Sequence, residues 1–171
     1  MNLTENCANR RFPIAAGSDD MERVVAFQKI SRACTTVVAV ADRDRDGEYQ
    51  PLTVARLGSL LTGADESRRW RLIAEFLEEY RWEPADTRFA LLTQEPAGTG
   101  AEHWDVFLAA LAEHLAARDG HGAPPWVESR SLRRFWFPFN TRAARADAVV
   151  HAPAAFRRRG VYVAAQELEV A

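Results

Sequence analysis

The histidines and cysteines have the widest chemical range in this chain: His103, His114, His121 and His151, with Cys7 and Cys34. His103 and His114 stand eleven positions apart, a spacing that brings a helix back to nearly the same face, so both could reach one ligand. A zinc site asks for three or four such ligands, and no third His or Cys stands at a suitable spacing. The pair therefore reads as surface or rim histidines. The run Asp42-Arg43-Asp44-Arg45-Asp46-Gly47 opens like a calcium loop of the form D-x-D-x-D-G. That loop closes on a bidentate Glu at its twelfth position. Here Thr53 stands there, and Arg43 and Arg45 would repel a cation, so a solvated loop is expected. Cys34 has no histidine close by in sequence to activate it and reads as a small core residue. Glu75, Glu78 and Glu79 form an acidic, solvated helix face. The chain carries no G-x-S-x-G elbow, no phosphate loop and no G-x-G-x-x-G. No catalytic residue, metal set or cofactor is expected, and the chain is not read as an enzyme.

Recognition chemistry is better represented. Basic residues are almost all arginine, 21 against the single Lys29. Arg157-Arg158-Arg159, with Arg142 and Arg145 upstream, could meet an acidic partner or a phosphate backbone. The plainer reading is a solvated basic turn near a helix C-terminus, where arginines are favoured. Trp104, Trp126, Phe135, Trp136, Phe137 and Phe139 give a dense set of large rings. Rings and Arg are enriched at interface hot spots, although a helical core would use the same rings. Arg157, Arg158, Arg159 and Trp136 are the expected partner-binding residues.

The elements that must position these groups are mostly helical. Residues 1–18 are polar and read as a loose arm. Met21 to Ala33 has a partly helical spacing of apolar residues, and Leu52 to Leu61 resumes helix with Leu52, Ala55, Leu57, Leu60 and Leu61 as its apolar set. Thr62-Gly63-Ala64 marks a boundary. Asp65 or Ser67 starts the clearest helix, with Trp70, Ile73, Phe76, Leu77 and Tyr80 on one stripe. Glu83 to Gly98 reads as an extended connection. Thr99-Gly100-Ala101-Glu102 fits a capping box ahead of a stripe of Trp104, Phe107, Leu108, Leu111 and Leu115. Gly120 and Gly122 end that helix. Asn140 or Thr141 caps a helix to Val150, and Pro153 opens another to Arg159, stopped by Gly160. Phe156 should point inward with the three arginines fanning outward, and Val161-Tyr162-Val163 is the best short strand.

Composition bounds the rest. The chain has 171 residues and 19.2 kDa, 47% hydrophobic and 27% charged, which suits one mid-sized or two small domains and excludes a disordered chain, a collagen or a coiled-coil rod. Two cysteines exclude a disulfide framework within the chain. The first twenty residues include Glu5, Arg10, Arg11, Asp19 and Asp20, unlike a secretory signal. No apolar run approaches the roughly 20 residues that span a bilayer. A cytoplasmic protein without a membrane partner is expected. The net charge of −2 hides an asymmetry: 6 basic and 13 acidic residues over 63–129, 8 basic and 3 acidic over 130–171.

Two segments carry a family resemblance. Ile30 to Arg43, then Gly47-Glu48-Tyr49-Gln50-Pro51 and Leu52-Thr53-Val54-Ala55-Arg56-Leu57, resemble the helix-turn-helix of the Xre/Cro-like repressor family over residues 19–62. The small residue and Thr at the turn, the G-x-x-x-P loop and the following leucine-rich helix carry it. The resemblance implies that Arg32, Thr35, Thr36, Val38, Arg43 and Arg45 face DNA, with a Thr capping the third helix and touching a phosphate. The face departs from the family in offering mainly Val and Ala to the bases, with Asp42, Asp44 and Asp46 near the phosphates. From Phe76-Leu77-Glu78-Glu79-Tyr80 to Phe156-Arg157-Arg158-Arg159-Gly160-Val161-Tyr162-Val163, the remainder is similar to a C-terminal domain of uncharacterised actinobacterial regulators, many of which look like antitoxins. Together these imply a mainly α protein: an arm over 1–18, a degenerate helix-turn-helix lobe over 19–62, and a helical interaction lobe over 63–171 with at most a short strand. The implied function is a transcriptional regulator of antitoxin type, whose partners are a promoter operator, a cognate toxin-like protein and, in a homodimer, a second copy. A protein-interaction module that has lost DNA binding is the alternative, and an enzyme of unknown chemistry the second.

Overall fold

The structure, a computed structural model, describes residues 49–169. The DNA-facing candidates Arg32, Thr35, Thr36, Val38, Arg43 and Arg45 lie outside the described residues, as do the 1–18 arm, Cys34 and the Asp42-to-Gly47 loop.

The fold is mainly α. Helix α1, Val54–Leu61, starts two residues later than the pattern predicts, because the Thr53 hydroxyl accepts the Arg56 N–H at 3.2 Å and so fixes the first turn. With that start, Val54, Leu57 and Leu61 form the inward stripe and Leu60 is left 39% exposed. Helix α2, Glu66–Trp82, is capped by the Asp65 carboxylate, which accepts the Arg68 N–H at 2.9 Å. Its five expected apolar residues, Trp70, Ile73, Phe76, Leu77 and Tyr80, are all buried.

The stretch after α2, expected to be extended, instead coils into two short helices, α3 at Ala85–Arg88 and α4 at Ala90–Thr93. Pro84 precedes the first residue of α3, so its missing N–H costs no helical bond. Burial of Leu91 and Leu92 stabilises a segment too short to show a period of its own.

Helix α5, Glu102–Arg118, lies at the centre of the body. Trp104, the run from Val106 to Ala112, Leu115 and Ala116 are buried around its circumference. Its entry differs from the expected capping box: Ala101 is the N-cap, and Asp105 rather than Glu102 reaches back, accepting the Thr99 N–H at 2.7 Å. Its exit is a Schellman turn, with Gly120 at φ +80° and the His121 N–H bonded to the Ala116 carbonyl at 2.8 Å.

Helices α2 and α5 run parallel. The Trp70 and Trp104 rings meet near their N-terminal ends at 5.2 Å, and the Tyr80 hydroxyl reaches Asp119 at 2.8 Å past the C-terminal end of α5. The α3–α4 segment makes the return. Helix α1 belongs to the same core: a methyl group added at Gly58 would sit 2.6 Å from Pro96 Cβ and 3.5 Å from Leu108 Cδ1. Thr62-Gly63-Ala64 therefore joins two helices of one core, and the described residues show no division of cores at 62/63.

Helix α6, Arg142–His151, is capped by Thr141, and α7, Ala154–Arg158, follows Pro153. Val161-Tyr162-Val163 has the alternation of a strand, with both valines fully buried and Tyr162 half-buried. It forms only a single parallel bridge, Trp136 to Val161.

Candidate interaction surface

The chain from Phe156 to Tyr162 has two sides, and the inner one is structural. The Phe156 ring is fully buried against Phe107, 5.3 Å between centroids, as its spacing from Pro153 and Gly160 predicts. Arg159 does not fan outward. It is 5% exposed, and its guanidinium donates through Nε and Nη2 to Glu113 Oε2 at 3.0 and 2.6 Å. Nη1 donates to the carbonyls of Val127 and, at 2.6 Å, Arg130. Arg158 also binds Glu113, with Nε donating to Oε2 at 3.0 Å and Nη2 paired with Oε1.

The reason is helical geometry. Arg159 sits three residues after Phe156 and so shares its inward face. Glu113 stands inside a helix that is otherwise apolar on that side, where a carboxylate requires a cation. In the sequence the three arginines read as one block. A signal for the buried pair is Glu113, a carboxylate set among the buried residues Val106 to Ala116 of α5.

The outer side is a surface. Gly160 adopts φ +81° and lets the chain double back. Three hydrogen bonds then tie the segment before α6 to this turn, each 2.9 Å: Leu132 N–H to the Arg159 carbonyl, Trp136 N–H to the Gly160 carbonyl, and Tyr162 N–H to the Trp136 carbonyl. Extended chain alternates its side chains. Trp136 therefore turns inward, half-buried, its ring 4.5 Å from His103 and 5.2 Å from Trp104. Its neighbours turn outward. Phe137 stacks on Tyr162 at 5.0 Å, Phe135 meets the edge of the same ring at 5.2 Å, and the Arg145 guanidinium lies 4.6 Å over Phe137. Phe135 is 70% exposed. Trp136, the expected contact residue, thus belongs to the interior cluster, and Phe135 is the exposed anchor.

Arginines surround these rings. Arg133, Arg134, Arg142 and Arg157 are exposed, with no ion pair or hydrogen bond among the described residues. Arg142, Arg145 and the exposed Val149 follow one another along one face of α6 at spacings of three and four. Exposed rings beside unpaired guanidiniums can bury apolar area and bind carboxylates or phosphates bidentately.

The far end of α2 has the opposite character. The Glu79 carboxylate accepts the Tyr49 hydroxyl and the Leu52 N–H, both at 2.9 Å, and Glu83 accepts the same hydroxyl at 2.7 Å. Desolvation and these two carboxylates push the Tyr49 phenol above its ordinary range. Glu78 accepts the Trp82 indole N–H at 2.8 Å, yet the Trp82 side chain remains 72% exposed.

The histidines separate. His103 and His114 both lie on α5, but His103 packs on Trp136 while His114 meets Phe156 at 6.0 Å. Burial, reinforced by Arg118, lowers the His114 pKa. His121 stacks on Phe89, and His151 pairs with Asp147 at 2.6 Å. Among the described residues no three His, Cys, Asp or Glu side chains are placed to hold a metal ion, and no helix is long and apolar enough to cross a membrane. Comparison of the chain with protein-family models, curated proteins and solved structures finds no match.

Proposed function

We propose that this chain is a DNA-binding transcriptional regulator of antitoxin type, acting in the cytoplasm. The segment resembling an Xre/Cro-like helix-turn-helix engages the chain's own promoter, and the helical body binds a toxin-like partner protein. The observation that supports the partner role is the exposed Phe135 ring with unpaired Arg133, Arg134, Arg142 and Arg157 on the segments tied around it. Such a face suits a partner that presents carboxylates around an apolar recess. The DNA role rests on the resemblance over residues 19–62.

Two assays test the two roles. Co-expression with the adjacent gene product should yield a co-purifying complex. Phe135→Ala with Arg133→Ala should weaken that complex about tenfold or more, as loss of an interface anchor does, while leaving the melting temperature within about a degree. A folded double variant that keeps full affinity overturns the assignment of this face. A gel shift on upstream DNA should show binding whose salt slope falls by about 1 for each phosphate contact removed in Arg43→Ala and Arg45→Ala. Absence of any shift at low salt favours the second reading, an interaction module without DNA binding. Asp42, Asp44 and Asp46 beside the recognition segment favour that reading, because carboxylates repel phosphates.

A further inference from the structure

Trp82 and Phe135 are the two most exposed large apolar side chains among the described residues, at 72% and 70%. They sit in surroundings of opposite charge. Around Trp82 stand Glu75, Glu78, Glu79 and Glu83 on α2 and its C-cap, with Asp86 on α3. Three cations at that end are engaged: Arg81 lies over the Trp82 ring at 5.4 Å, Arg88 donates to the Glu83 and Arg81 carbonyls, both at 2.8 Å, and Arg118 pairs with Asp119 at 3.9 Å, while Arg71 is exposed one turn before Glu75. Around Phe135 stand the unpaired Arg133 and Arg134, with Arg142, Arg145 and Arg157 on the elements tied to it.

Phe135 and Trp82 also adjoin opposite ends of α5. The rings of the arginine–aromatic face adjoin the start of α5 through Trp136 on His103 and Trp104, while Arg157 lies beside Phe156, farther along that helix. The acidic face adjoins its end, where Tyr80 meets Asp119. From Trp104 to Asp119 a helix rises about 22 Å at 1.5 Å per residue. Held at opposite ends of that helix, Trp82 and Phe135 do not meet within one chain. A second copy can bring them together.

We infer that the acidic end of α2 on one chain docks onto the arginine–aromatic face of another, so that this protein self-associates head to tail. Trp82 of one copy packs beside Phe135 and Tyr162 of the next, and the α2 carboxylates pair with Arg133 and Arg134. Each chain then keeps one free acidic end and one free basic end, so association continues beyond the dimer unless a ring closes. The inference takes the arginine–aromatic face as a docking surface, as the regulator reading does, but its test contains neither DNA nor a partner protein. Its failure is therefore separate from a failed pull-down.

The experiment is sedimentation equilibrium on the full chain alone, from micromolar to several hundred micromolar, at low salt and at about 0.5 M salt, where the Debye length is only several ångströms. The expected result is an average mass that rises past the dimer with concentration and falls with salt. Arg133→Glu with Arg134→Glu, and separately Glu75→Arg with Glu83→Arg, should each give a folded monomer, checked by melting. Mixing the two variants should restore association, because each supplies the charge the other lost. A wild type that stays monomeric at the highest concentration and low salt overturns the inference. So does a mass that stops at two and ignores both charge reversals, or a pair of folded variants that do not associate when mixed.

Discussion

The inner and outer sides of the 156–162 turn use the same residue types for opposite purposes. Inside, Phe156 fills the core against Phe107, and Arg159 neutralises Glu113 while binding the carbonyls of Val127 and Arg130. Outside, Phe135 meets the Tyr162 ring yet stays 70% exposed, and Arg157 is exposed. A ring or a guanidinium is therefore structural or available according to which face of one short helix, or which side of one extended segment, it occupies. A run such as Arg157-Arg158-Arg159 hides that difference, because three consecutive residues on a helix point in three directions.

The strongest way to break this comparison is by matched truncation. Phe156→Ala should destabilise the body by about 3–5 kcal/mol, as large core truncations do. Arg159→Ala should cost about 3 kcal/mol, the lower end for breaking a buried pair, because Arg158 still neutralises Glu113. Phe135→Ala and Arg157→Ala should each stay within about 0.5 kcal/mol of wild type, as exposed substitutions do. Urea melts of the four variants measure this directly. If Arg157→Ala cost as much as Arg159→Ala, the division between the two sides would not hold.

Gly160 sharpens the comparison, since it lets the chain present both sides at once. A Cβ there would meet the Leu132 carbonyl oxygen at 3.2 Å on a backbone at φ +81°. Gly160→Ala should cost about 1–3 kcal/mol and should also weaken partner binding, because the bonds from Leu132 and Trp136 to this turn position the outward rings. A variant destabilised but unimpaired in binding per folded molecule would show that the outer face does not depend on the turn.

The smallest effect is a pH slope from the inner side. Burial and Arg118 penalise the charged form of His114, so its folded pKa lies below the ordinary 6.5. As pH falls below 6.5 the unfolded chain takes up a proton that the folded chain refuses, so stability is complete above that value and declines below it. Melting temperature from pH 7.5 to 5.5 should fall less steeply in His114→Gln than in wild type. Parallel slopes would remove His114 from the inner cluster's electrostatics.

Much of this arrangement was legible beforehand. The stripe of α2, the Thr141 cap, the inward Phe156 and the Gly160 stop follow from local rules that operate within one or two turns. The start of α1, the coiling of α3 and α4, and the reach of Asp105 to Thr99 did not, because each depends on a contact or cap that competes with an equally plausible local alternative. The surface was half legible: its residue types are visible in the sequence, but there all three arginines read as fanning outward, Trp136 reads as the contact ring, and Phe135 is only one ring among six.

The sequence by itself determined that the body is helical and where most of its helices begin and end, since spacing, caps and glycines act over a few residues. Only the tertiary structure decided which rings and which arginines remain exposed. Burial of a charge depends on whether a counter-charge such as Glu113 stands opposite it, 46 residues away in the chain, and no local pattern carries that information.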